Sequence, residues 1–132
     1  MSPWIVLVTV AALLLYFYMG MRIATARGKH SIPAPATTGH PDFERVFRVQ
    51  MNTLEWLPIF LPALWIAAGY WDPRIVAAVG VVWIIGRFMY MEGYIAEAGK
   101  RSMGFLVQGI ATLLLLLGAI VGAIMALVNG AI

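Results

Sequence analysis

Ser102 to Ile132 reads SMGFLVQGIATLLLLLGAIVGAIMALVNGAI and carries no charged side chain. An α-helix rises 1.5 Å per residue, so about 20 residues cross a hydrocarbon core of ~30 Å. This run is long enough to do so alone, and a span is expected at about 102–129. Working outward, the chain holds three more candidates. Met1 to Met21 is uncharged and almost wholly apolar after Trp4, which places a span at about 3–21. A cleaved leader would want a basic start and a small-residue cleavage site. Here the first charge, Arg22, follows the apolar run, which favours a retained span. Trp56–Tyr70 and Ile75–Gly86 are too short to cross by themselves. Continued as helices through Arg45–Glu55 and Arg87–Ala98, they give spans at about 44–70 and 74–98. The expected fold is all-α: an integral membrane four-helix bundle forming a single domain, residues 1–132.

Composition agrees. Hydrophobic residues make up 62% of the chain and charged residues 11%, against about 25% charged in a soluble globule. Mean hydropathy is +0.88, so the missing polar surface must be replaced by lipid. The absence of cysteine excludes disulfides, thiolate metal sites and a cysteine nucleophile. His30 and His40 share one polar loop without ligand spacing, so no metal site is expected. No mixed basic and aromatic stretch points to nucleic acid.

Trp71-Asp72-Pro73-Arg74 is a tight polar turn between the second and third spans. The segment containing Pro33, Pro35, Gly39 and Pro41 reads as a longer loop between the first two. Pro58 and Pro62 fall inside the second span and should bend it. Gly118 and Gly122 have the small-xxx-small spacing that lets membrane helices approach closely, although glycine is common in such helices anyway. Arg22, Arg27, Lys29, Arg45, Arg48, Arg87, Lys100 and Arg101 lie toward the first and third connections, and only Arg74 lies opposite. The positive-inside rule then puts both connections in the cytoplasm and both termini outside.

Charges in membrane helices cost at least ~2.5 kcal/mol on insertion scales and face partners or wet cavities. On the second helix Arg48, Asn52 and Glu55 stand at i, i+4 and i+7, one helical face. On the third, Arg87, Tyr90, Tyr94 and Arg101 fall within about 60° at 100° per residue. Interhelical ion pairs and arginines reaching for headgroups would account for single residues. They do not account for the set, because Glu55 faces several arginines. The surplus positive charge asks for an anionic, carboxylate-rich small molecule whose amine meets Glu55.

Phe43-Glu44-Arg45-Val46-Phe47-Arg48-Val49-Gln50-Met51-Asn52-Thr53-Leu54-Glu55-Trp56-Leu57-Pro58 closely resembles the signature of the MAPEG family, the membrane-associated proteins in eicosanoid and glutathione metabolism. That signature reads E-R-x-x-R-x-x-x-N-x-x-E, then an aromatic residue and, two residues later, proline. Gly86-Arg87-Phe88-Met89-Tyr90-Met91-Glu92-Gly93-Tyr94 is similar to the family's R-x-x-Y-x-x-G-Y on the third helix. The likeness runs from the first span to the fourth and is strongest to the branch of microsomal glutathione transferases and leukotriene C synthase.

The resemblance implies a homotrimer with glutathione as co-substrate between neighbouring subunits, and a lipophilic electrophile entering from the lipid bilayer. It implies a membrane-bound glutathione transferase, with glutathione-dependent peroxidase activity as a further expectation. Arg48, Asn52, Glu55 and Trp56 match glutathione-binding positions on helix two, and Gln50 one that approaches the neighbour's first helix. On the third-helix motif Tyr90 and Tyr94 match tyrosines that line the same site and Arg87 counts with them as glutathione-binding, while Arg27 matches a loop arginine that reaches a glutathione carboxylate. Arg101 matches the arginine that holds the thiol as thiolate, the catalytic role. Trp56 replaces a tyrosine, and Gly28 a second arginine, of leukotriene C synthase. Both changes argue for broader detoxifying conjugation rather than leukotriene synthesis.

The family also contains a non-catalytic lipid-presenting helper, so a lipid-binding or partner-binding protein is the alternative. Arg101 with an intact Arg48/Asn52/Glu55 set favours the enzyme, since a helper needs no thiolate-stabilising cation. A transporter is disfavoured because no polar stripe continues along the first and fourth spans. The lack of a eukaryotic retention signal points to a bacterial inner membrane, with the site on its cytoplasmic side.

Overall fold

The computed structural model describes residues 1–130; the last two residues of the expected domain and the very C-terminus lie outside the described residues. Helix α1 is Pro3–His30, α2 Pro41–Tyr70, α3 Pro73–Ala96 and α4 Ser102–Val128, with one 3-10 turn, Ala98–Arg101, joining the last two. All four are long and apolar enough to cross a membrane. The chain is an all-α, multi-pass integral membrane protein.

Proline opens α1, α2 and α3, where its missing N–H is one of the donors a helix start leaves free. His40 caps α2 by accepting from the Asp42 N–H at 3.1 Å. Asp72 caps α3 by accepting from the Arg74 N–H at 2.9 Å. The Arg74 side chain also pairs with the Asp72 carboxylate at 2.9 Å, which holds that carboxyl below its ordinary value. Helix α1 runs well past the expected end at residue 21. Its last turn carries Arg27, Lys29 and His30, cations that suit the negative end of the helix dipole. Ser31 closes it in the left-handed region at φ 54°. Helix α2 continues unbroken through Pro58 and Pro62.

Helix α4 is packed inside out relative to a helix of a soluble bundle. The buried face of α4 is small and polar, Gly104, Gln108, Ala111, Thr112 and Ala119 among it, while leucines such as Leu113, Leu114 and Leu117 point outward. Lipid is as apolar as leucine, so helices gain by close backbone approach rather than by hiding leucine. The interior is anchored by Phe60 stacked on Trp83, ring centroids 3.9 Å apart and nearly parallel.

The closest approach is between α3 and α4. A Cβ on Gly86 would come within 2.6 Å of the Gln108 backbone nitrogen, and one on Gly104 within 2.6 Å of Tyr90 Cα. Gly118 and Gly122, the pair singled out by spacing, serve the same subunit differently. They accommodate the Trp71 and Tyr70 rings, and the Trp71 indole donates to the Gly118 carbonyl at 2.8 Å. Gly104→Ala should therefore push α4 off the backbone of α3 and lower stability by about 1–3 kcal/mol, the usual overpacking cost. Thermal unfolding in detergent, followed by tryptophan fluorescence, checks this; an unchanged midpoint would contradict the packing described.

Candidate functional site

At the end of the bundle bearing the α1–α2 and α3–α4 connections, α2, α3 and α4 enclose an open cleft of about 600 Å³. Arg48 and Asn52 come from one face of α2, and Tyr90 and Tyr94 from one face of α3. Arg101 and Ser102 stand where the 3-10 turn passes into α4, with Phe105 and Leu106 one turn further on. The α3–α4 glycine contact sets this geometry, since Gly104 lies against Tyr90 and brings the start of α4 beside the tyrosines.

Arg101 is exposed; its Nη1 donates to the Ala98 carbonyl at 2.8 Å, and its guanidinium lies 5.3 Å from the centre of the Tyr94 ring. Among the described residues no carboxylate pairs with it. Arg48 pairs with Glu55 at 3.2 Å, both side chains about half exposed. Glu55 thus sits beside the cleft, reached through Arg48, rather than on its wall. The Tyr90 and Tyr94 rings meet edge to face at 5.5 Å. Trp56 lies behind the wall, edge-on to Phe105 at 5.5 Å.

Arg87 is entirely buried behind Asn52 and does not line the cleft. Its Nη1 donates to Asn52 Oδ1 at 2.8 Å and to Thr53 Oγ1 at 3.3 Å. The other two expected residues lie elsewhere on the subunit. Arg27 is tied to the α1–α2 loop, donating to the Ala36 carbonyl at 2.7 Å, and lines a separate shallow cleft with Gly28 and Ile32. Gln50 lies against Gly20 of α1 in another groove, with Tyr16 and Phe17. One subunit therefore joins Arg48, Asn52, Tyr90, Tyr94 and Arg101 in one place and holds Arg27 and Gln50 apart from them.

Ser102, Phe105 and Leu106 belong to the cleft and were not picked out by sequence. Phe105 follows Arg101 at i+4, a signal hidden because it falls in the uncharged run. His30, His40 and Asp42 also gather at this end, their ligand-capable atoms within 4.8 Å of one another. The two imidazoles stack face to face at 3.9 Å, and His40 Nδ1 is already accepting the cap bond.

Residues 5–121 match the model of the MAPEG family. The chain belongs to the MAPEG family. An uncharacterized protein of Synechocystis sp. is 46% identical over 117 residues, 89% of this MAPEG chain and 85% of its own length. Human microsomal glutathione S-transferase 2 is 45% identical over 104 residues, covering 78% of this chain and 71% of the relative. Leukotriene C4 synthase of Cavia porcellus is 37% identical over 115 residues, covering 87% and 77%. The MAPEG assignment thus covers every helix that contributes to the cleft.

Proposed function

We propose that this MAPEG chain is a membrane-bound glutathione transferase that joins the glutathione sulfur to lipophilic electrophiles. The observation that carries the reading is the cleft itself. It sets Arg101, which pairs with no carboxylate among the described residues, beside two tyrosines and the polar side chains of Arg48 and Asn52. The names of two relatives, a glutathione S-transferase and a leukotriene C4 synthase, support the same class of reaction.

In this reading Arg48 and Asn52 bind the acids and carbonyls of the tripeptide, and Glu55 takes its amine. Arg101 faces the sulfur. A free thiol ionises near pKa ~8.5, and an adjacent guanidinium favours the anion. The thiolate attacks an electrophilic carbon, forming the S–C bond as the leaving group departs or a strained ring opens, with the negative charge passing to it. Phe105 and Leu106 supply the apolar side for the acceptor, which arrives through lipid. Reduction of lipid hydroperoxides would use the same thiolate. It takes the terminal peroxide oxygen as the O–O bond breaks and the alcohol leaves, and a second glutathione then displaces that oxygen as water to give the disulfide.

We place the cleft on the cytoplasmic side, because all the basic residues except Arg74 lie at that end. We further propose a homotrimer, in which Arg27 and Gln50 of one subunit complete the cleft of the next. Support comes from their separation from the cleft within a single chain. Light scattering of the detergent-solubilised protein, corrected for micelle mass, should give three chains per particle; a monomer that still binds glutathione would sink the shared site.

A further inference from the structure

Arg87 is a large, fully buried cation, yet no carboxylate pairs with it among the described residues. A buried charge is ordinarily paired, because leaving it alone in a low-dielectric interior is costly. What surrounds Arg87 instead is aromatic. The Tyr90 ring lies 4.7 Å from its guanidinium carbon, and the Trp56, Trp83 and Phe105 rings lie at 5.8–5.9 Å. Such ring faces attract a cation, more so when it is desolvated. Its Nε and Nη2 find no acceptor among the described residues. The short hydrogen bond that remains, 2.8 Å, goes to Oδ1 of Asn52, a side chain on the cleft wall.

That bond decides which end of the Asn52 amide faces the ligand. A carboxamide has one accepting oxygen and one NH₂ group with two donors. An arginine has donors only, so the oxygen must turn toward Arg87. The Nδ2 group, which donates to nothing among the described residues, is left for the cleft. We infer that Arg87 is a positioning residue that locks Asn52 with its N–H donors toward the cleft, so that position 52 recognises a carboxylate or carbonyl oxygen of the ligand. Arg87 itself does not touch the ligand. The inference rests on the glutathione reading and goes beyond it, moving Arg87 from the binding surface to the layer that orients it.

Asn52→Asp separates this role from plain packing. Aspartate gives Arg87 the carboxylate it lacks, so thermal stability in detergent should be held or raised. It also removes the N–H donors, so calorimetric affinity for glutathione should fall at least tenfold. A residue important only for packing would lose stability and affinity together. A second readout is the double-mutant cycle of Arg87→Met with Asn52→Ala, each single change weakening binding by roughly tenfold. If Arg87 acts through Asn52, Arg87→Met should cost less than about twofold once Asn52 is alanine. Should Arg87→Met not fold, Arg87→Gln takes its place in the cycle, since its amide offers an acceptor as well as donors and no longer fixes which end of Asn52 faces it. Unchanged affinity in Asn52→Asp, or additive costs in the cycle, would overturn the inference while leaving glutathione binding by the wild type intact. Wild-type protein that binds no glutathione would overturn the proposed function, and this inference with it.

Discussion

Replacing Arg101 by alanine should raise the pH at which bound glutathione ionises by about one to two units, with affinity held within several-fold. Arg101 stands over Tyr94 at the mouth of the cleft, free of any carboxylate among the described residues. Its charge is therefore available to a ligand rather than spent on a neighbour. A fixed cation stabilises the thiolate and leaves the neutral thiol nearly untouched, so it lowers the thiol pKa, and its removal raises it. Each unit corresponds to ~1.4 kcal/mol. Starting from an unassisted thiol pKa of ~8.5, the thiolate fraction at neutral pH, and with it conjugation, should fall roughly eight- to twenty-fivefold. Part of the rate should return above the new pKa, where the thiolate forms unaided. Arg101→Lys keeps the charge without the planar fork and should rescue partially. The ultraviolet absorbance of bound thiolate against pH reads this directly. Coincident titrations in wild type and Arg101→Ala would make Arg101 a headgroup anchor.

Arg48→Ala and Glu55→Ala should each weaken glutathione binding by about 2–5 kcal/mol, the usual cost of truncating one partner of a desolvated, charge-assisted contact. The two side chains hold each other at 3.2 Å. An exposed pair of this kind contributes only ~0–1 kcal/mol, so exchanging it for ligand contacts loses little. The mutual pair also gives the two substitutions a shared partner, and their combined cost should be less than the sum. Calorimetric titration of the single and double variants measures this. Unchanged affinity in both single variants, with the fold intact, would reduce Arg48 and Glu55 to a surface ion pair.

The sequence made the helices legible because membrane length and charge exclusion act on long runs, and an uncharged stretch such as Ser102–Ile132 admits few other readings. The polar faces were legible for a similar reason: Arg48 and Asn52 share a helical face, as do Tyr90 and Tyr94, and one cleft receives all four. Depth was not legible. Helical spacing places Arg87 in register with Tyr90 but cannot say that it is buried behind Asn52, because that depends on how closely α3 meets its neighbours. The glycines misled in the same way. Gly118 and Gly122 carried the recognisable spacing, yet the tight backbone approach falls at Gly86 and Gly104, whose separation along the chain hides their pairing. The end of α1 was hidden because polar residues after a span do not stop a helix; the left-handed Ser31 does.

The central claim is that the cleft generates a glutathione thiolate and delivers it to an electrophile. Purified wild-type protein in detergent, given glutathione and an activated aryl halide, tests it most directly through the absorbance of the thioether product. The account predicts conjugate formation above the uncatalysed rate, saturable in glutathione and sharply reduced at neutral pH in Arg101→Ala. Glutathione binding without any conjugate above background would contradict it and leave a protein that only binds.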